Sequence, residues 1–188
     1  SSAASDVYKR QARRRGVPEE RIIYVGRGAS AHEADDFLAR DRYDKSPSME
    51  VCLRRTLEFN EVTPDDLDLV ELYSCFPCVP KMARRVIGWP VEKPATVFGG
   101  LTFGGGPIGN YMAHAVAEMV DALRAGEGEK GLLFANGGFA THNHAIVLGT
   151  QPLPGAGEAH EFDLRAEADA ARGAAVSYTH LRAHETRG

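Results

Sequence analysis

Along the chain the apolar positions change period several times, and each change marks an element. Arg21-Ile-Ile-Tyr-Val25 is a short apolar run bounded by Pro18 on one side and by Gly26 and Gly28 on the other, and it predicts a strand. Ser46 and Pro47 form a helix start, with serine as N-cap and proline at the first helical position; Met49, Val51, Leu53 and Leu57 supply a buried stripe before Asn60. Thr63-Pro-Asp-Asp66 repeats the start signal with an acidic third residue. Only one turn fits there before Leu67 to Tyr73, which predicts a buried strand. A second helix is expected from about Val79 to Ile87, stopped by Gly88-Trp-Pro90. The best amphipathic segment runs from about Ile108 to Ala125, where Met112, Val116, Met119, Val120 and Leu123 recur at three- and four-residue steps. Gly131-Leu-Leu-Phe-Ala135 and Ala145-Ile-Val-Leu148 then predict two strands joined through Asn136-Gly-Gly138 as an antiparallel hairpin. Strand-helix alternation followed by paired strands is the pattern of an α/β layered fold, a mixed sheet flanked by helices.

Composition narrows the partners. With 188 residues, 43% of them hydrophobic, the chain has enough apolar mass for one core. No apolar run approaches the roughly 18–20 residues needed to cross a bilayer, and the N-terminus lacks the basic-then-apolar layout of a secretion signal. A net charge of -4 leaves nucleic acid without an electrostatic footprint, since the one basic cluster, Arg13 to Arg15, is short. Three cysteines cannot build a disulfide framework for a chain this long, so a cytoplasmic location is expected.

The termini read as foreign to the middle. Residues 1–11 and 176–188 resemble translated sequencing-adapter read-through and are expected to be non-native scars. The domain is then expected over 12–150, with 151–175 a linker or the start of a truncated extension, because Gln151 to Gly157 is rich in proline and glycine. On this reading the chain is a fragment of a longer frame.

Several motifs carry chemistry. Gly99 to Gly109 has glycine at six of eleven positions, and Gly104-x-Gly106-x-x-Gly109 formally matches the dinucleotide fingerprint. Pro107 interrupts it and no strand leads into it, so the fingerprint's context rules fail. A nearly side-chain-free loop feeding a helix still lets a ligand lie against backbone N–H groups; the alternative is a tight turn packed under another element. Cys75-Phe-Pro-Cys78 has CxxC spacing without a second ligand pair for zinc, and reads as free thiols or a redox pair. His142 and His144, two apart, would share one face of a strand, but no third ligand is fixed by spacing and no metal site is expected; His32 follows a turn of small residues.

Three blocks in order, Asp68-Leu-Val-Glu-Leu-Tyr-Ser-Cys-Phe76, Phe98 to Gly109 and Leu133-Phe-Ala-Asn-Gly-Gly138, resemble the C-terminal half of the thiolase superfamily, over roughly residues 12–150. They look closest to the acetyl-CoA acetyltransferase branch allied to sterol-carrier-protein thiolases. The resemblance implies a thiolase-like layered fold, coenzyme A thioesters as substrates with no bound cofactor, and homo-oligomers. The half that carries the nucleophilic cysteine in true thiolases is not in this chain, so the fragment alone is expected to be inactive.

Position by position the match is partial. Where the family's oxyanion block begins with Asn or His, Tyr73 stands here, followed by Ser74 and Cys75. Where the family has Gly-His-Pro, Gly105-Gly106-Pro107 has no imidazole, and where it has Cys-x-Gly, Ala135-Asn136-Gly137 has alanine. Claisen chemistry needs a base for a weakly acidic carbon and a donor for the enolate oxygen, and neither standard group is present. The expected catalytic candidates are therefore Tyr73, Cys75 and Asn136, with His32 and His142 behind them. Gly104, Gly105, Gly106, Gly137 and Gly138 are the expected substrate-binding backbone, and Tyr73, Cys75, Gly105, Gly106 and Asn136 are expected to converge at one sheet edge. Acyl transfer is one implied activity. Cysteine-independent retro-aldol cleavage of a CoA thioester with an OB-fold partner is a second, with Tyr111 as the second tyrosine, and a non-catalytic CoA or acyl-binding module is a third.

Overall fold

The computed structural model describes residues 10–34, 40, 42–107 and 109–172. The scar expected at 176–188 and most of that at 1–11 therefore lie outside the described residues. Four strands, β1 (Tyr24–His32), β2 (Leu69–Leu72), β3 (Lys130–Gly137) and β4 (His142–Gly149), form one mixed sheet in the order β1-β4-β3-β2. β1 and β3 pair antiparallel with β4, and β2 pairs parallel with β3, with Leu72 opposite Phe134. The helices are α1 (Pro47–Phe59), α2 (Cys78–Ile87), α3 (Gly100–Gly104), α4 (Tyr111–Arg124) and α5 (Arg165–Arg172). The expected α/β class, a mixed sheet flanked by helices, is the one observed.

Local signals place α1 and α2 well. The Ser46 side chain accepts from the Met49 amide at the start of α1, and Met49, Val51, Leu53 and Leu57 are all buried. Gly88 ends α2 in the left-handed conformation that favours glycine. Thr63 and Asp66 close a capping box around a single 3-10 turn, as expected.

Four expectations change. β1 does not stop at Gly26 and Gly28 but runs through them to His32 with a bulge between Val25 and Gly28. The buried Asn60 side chain explains the glycine: its Oδ1 accepts from the Arg27 amide at 2.8 Å, its Nδ2 donates to the Arg27 carbonyl at 2.7 Å, and a Cβ on Gly26 would collide with it. On α4 the buried stripe is Tyr111, Ala115, Met119, Ala122 and Leu123, so Val116 faces outward while Met112 and Val120 are partly buried. The glycine-rich segment contains α3, entered through Gly99 and left through Gly105, both at positive φ. Finally, residues 151–172 pack onto the domain: Leu153, Leu164 and Ala168 are buried in the main core, and Ser30 of β1 exchanges hydrogen bonds with Phe162 and Leu164.

The sheet separates two apolar clusters. On one face Leu72, Phe134, Ala145 and Val147 meet α1 and α2; on the other Leu133 and Leu148 meet Tyr111, Ala115, Met119 and Leu123 of α4. Which face a residue serves follows from its parity along the strand.

Candidate functional site

β2 and β3 are parallel neighbours, so their carboxyl ends emerge side by side, the place where open α/β sheets form crevices. Tyr73 follows β2, its amide donating to the Phe134 carbonyl at 3.2 Å. Its ring belongs to the α4 face, 5.0 Å from the Tyr111 ring, and its hydroxyl makes no hydrogen bond among the described residues. Burial, and secondarily the nearby Cys75, push its phenol above the ordinary value, so it is held as a proton donor.

Asn136, near the end of β3, belongs to the opposite face. Its Oδ1 accepts from Cys75 Sγ at 3.0 Å, and its Nδ2 donates to Asn143 Oδ1 at 3.2 Å. Cys75 is half-buried against the α1 and α2 cluster, and burial pushes its thiol up, with Cys78 adding to the effect. Phe76 and Phe139 stack with centroids 6.2 Å apart, both exposed, beside this pair in sequence.

The structure thus joins Cys75 to Asn136 and sets Tyr73 on the other side of the same edge. The glycines divide as well. A Cβ on Gly105 or Gly106 would meet nothing within 4 Å, which leaves open space along that backbone, whereas one on Gly104 would run into the Phe98 ring. Ser74 lies next to Gly100, which brings the turn after β2 against the start of α3. Gly137 and Gly138 belong to the β3–β4 hairpin, where Gly138 is left-handed and crowded by Thr141, a structural duty.

His32 and His142 sit opposite each other on β1 and β4, on the α4 side of the sheet, and His144 joins them: ring centroids are 5.0 Å from His32 to His142 and 5.5 Å from His32 to His144. Ser30 and Thr141 hydroxyls bond His32 and His142. Among the described residues no three His, Cys, Asp or Glu side chains are arranged to hold a metal ion. Burial first, then the two neighbouring imidazoles, lower the pKa of His144. Because the folded state resists the proton, its contribution to stability is present above the ordinary histidine value of about 6.5 and is lost as pH falls through the depressed folded value. The urea midpoint is therefore expected to drop between about pH 7.5 and 5, and to drop less in His144→Gln; equal slopes would reject this assignment.

The sequence reading missed Glu71. It is fully buried on β2, on the α4 face, and accepts from Thr96 Oγ1 at 2.6 Å, the Val97 and Phe98 amides at 3.0 and 3.1 Å, and the Tyr111 hydroxyl at 2.7 Å. One carboxylate thereby holds the entry to the glycine segment and the start of α4. With its hydroxyl committed to Glu71 and its ring buried, Tyr111 is a packing residue and not a free second acid. A second carboxylate between Val70 and Leu72, in the middle of the expected buried strand, was the available signal. No helix among the described residues is long and apolar enough to cross a membrane. A cavity of about 700 Å³ lies elsewhere, lined by Val17, Ile22, Ile23, Val25, Arg124 and Leu153, and none of the candidate residues borders it.

No protein-family model matches the sequence, and no curated protein matches it. Solved structures do. A monomeric SCP2-thiolase-like protein type 1 from Mycobacterium smegmatis is 33% identical with a TM-score of 0.75, over 85% of this chain and 36% of that one. Human mitochondrial 3-ketoacyl-CoA thiolase in complex with CoA is similar in fold at 18% identity and a TM-score of 0.52, over 68% of this chain and 30% of that one. A second structure of the same human enzyme gives the same identity and score over 66% of this chain and 29% of that one. The chain spans about a third of the length of these proteins. Sheet order, helix placement and the Mycobacterium smegmatis match together make this chain a thiolase-like partial domain.

Proposed function

We propose that this domain belongs to an acyl-CoA-processing protein whose intact form carries out acetyl-CoA acetyltransferase-like acyl transfer, with the thioester lying across the carboxyl edge of β2 and β3. The observation that carries the reading is the Cys75 thiol donating to Asn136 at that edge, and the backbone at Gly105 and Gly106, which no side chain occupies, supports it. A thiol and a phenol on either side of the edge supply two proton-transferring groups, and exposed loop backbone supplies room for the acyl and pantetheine portions. Coenzyme A enters as substrate, in line with the CoA complex of the human enzyme.

One observation favours retro-aldol cleavage as a second reading: the Tyr73 hydroxyl has no hydrogen-bond partner among the described residues, as a substrate-directed acid would require. That activity would come with an OB-fold partner. In the intact protein, Tyr73→Phe is expected to lower turnover of a CoA thioester by about 100-fold while leaving CoA affinity unchanged. Undiminished turnover excludes Tyr73 as acid or base, and lost CoA binding assigns it to ligand positioning. The homo-oligomer is kept as the proposed assembly of the intact protein; sedimentation as a monomer, the state of the Mycobacterium smegmatis relative, would overturn it.

A further inference from the structure

Beneath the Cys75–Asn136 pair runs a buried chain of polar side chains, and its bonding leaves one arrangement of protons. Asn143, fully buried on β4 and paired with Asn136 across the β3–β4 ladder, has its Nδ2 3.1 Å from the Ala140 carbonyl and 2.8 Å from Ser48 Oγ. A backbone carbonyl only accepts, so the amino end of Asn143 must face it. Its Oδ1 is then left toward Asn136, at 3.2 Å. Two amide oxygens do not face each other, so Asn136 must present Nδ2 there and turn its own Oδ1 on Cys75 Sγ. The oxygen only accepts, and the proton must sit on sulfur.

The far end of the chain is anchored too. Ser48 Oγ, having accepted from Asn143, donates to Ser46 Oγ at 3.1 Å; Ser46 lies within 2.8 Å of the Ala140 carbonyl and 3.3 Å of Glu33 Oε1. Glu33 forms a buried ion pair with Arg40 at 3.4 Å, and Arg40 donates to the Phe139 and Lys45 carbonyls. Ala140, whose carbonyl fixes Asn143, is itself held in the hairpin turn at a positive φ. Every side chain from Asn136 to Arg40 is less than a tenth exposed, so water does not compete for these bonds.

We infer that Asn143, which touches neither Cys75 nor the open edge, is a positioning residue that keeps Cys75 a protonated thiol by fixing which way the Asn136 amide points. On the acyl-CoA reading proposed above, Cys75 then enters turnover as a proton donor and not as a ready nucleophile. The inference deepens that reading but is tested on the thiol alone, so the two fail separately.

The test follows alkylation of Cys75 by iodoacetamide against pH in the full chain, in a Cys78→Ser background. Cys52 is buried, and the titratable groups that act on Cys75 are Cys78, removed in this background, and Tyr73, unchanged throughout. The parent midpoint is expected above the ordinary thiol value of about 8.5. With Asn143→Leu, which fills the same space without donor or acceptor, the Asn136 amide is free to turn its amino group on the sulfur; the midpoint should fall by about one unit and alkylation near neutrality rise about tenfold. The shift should vanish when Asn136→Leu is already present, and Ser48→Ala, which leaves the Ala140 carbonyl in place, should not produce it. An unchanged midpoint in Asn143→Leu overturns the inference, as does a shift that persists without Asn136. If Asn143→Leu fails to fold, Asn143→Ser is read in its place by the same criteria.

Discussion

Glu71→Leu is expected to destabilise the chain by about 3–5 kcal/mol, seen as a lowered urea midpoint at unchanged slope. The carboxylate is fully buried and takes four donors, so its removal strands the Thr96 and Tyr111 hydroxyls and the Val97 amide in an apolar setting and leaves the Phe98 amide only its 3.1 Å bond to Thr96 Oγ1. Leucine replaces volume but accepts from none of them. Glu71→Gln keeps one oxygen and should cost clearly less, about half. The damage should also be local, with the bonds around residues 96–100 cleaved by protease before the sheet unfolds. A loss below about 1 kcal/mol for the leucine variant would mean that water satisfies those donors and that Glu71 does not hold the segment.

Phe134→Ala should cost about 3–5 kcal/mol, because Phe134 is the largest of the fully buried side chains and lies mid-strand in β3 among Leu72, Val147 and the α1 contacts. Such a loss is a large part of the stability an ordinary domain possesses. Phe103, also a phenylalanine but 83% exposed on α3, sets the comparison: Phe103→Ala should change stability by no more than about 0.5 kcal/mol. Similar losses for the two, measured by urea unfolding, would contradict the placement of the main core on the α1 side of β3.

Where a signal is local, the sequence showed it. Ser46 and Pro47 announce α1, Thr63 and Asp66 the single turn, and Gly88 the end of α2, because capping depends on residues three or four apart. Gly26 was misread as a strand end for the opposite reason: what requires glycine is Asn60, brought over it from the end of α1. The α4 stripe was displaced because Tyr111 and Ala115 lack the hydropathy of Met112 and Val116 yet face the sheet. α3 hid inside a glycine count that reads as loop.

The site was legible as a list and not as an arrangement. Tyr73, Cys75 and Asn136 do sit at one sheet edge, which strand-end reasoning anticipates. Their division between two faces depends on Leu72 standing opposite Phe134, a register that no local pattern encodes; a slip of one residue would have exchanged the faces. Asn143, Ser48 and Glu33 looked like ordinary polar residues because their burial is made by partners many residues away. His144 was seen as half of a pair, and it was the β1 register that added His32 to the group.

The pairing of β1 with β4 has a kinetic consequence. β3 and β4 are joined by a short turn and need little loop closure, whereas β1 must find β4 across nearly the whole domain, Tyr24 meeting Gly149 and His32 meeting His142. The hairpin with α4 against it is thus suited to act as the folding nucleus, and β1 is added late, at the rate long-range closure sets. The edge strand so recruited is stitched on its outer side by Ser30 to Phe162 and Leu164, residues still nearer the end of the chain. Until residues 162–164 have been synthesised, the outer edge of β1 stands open, so on a ribosome this edge of the sheet is completed only after they emerge.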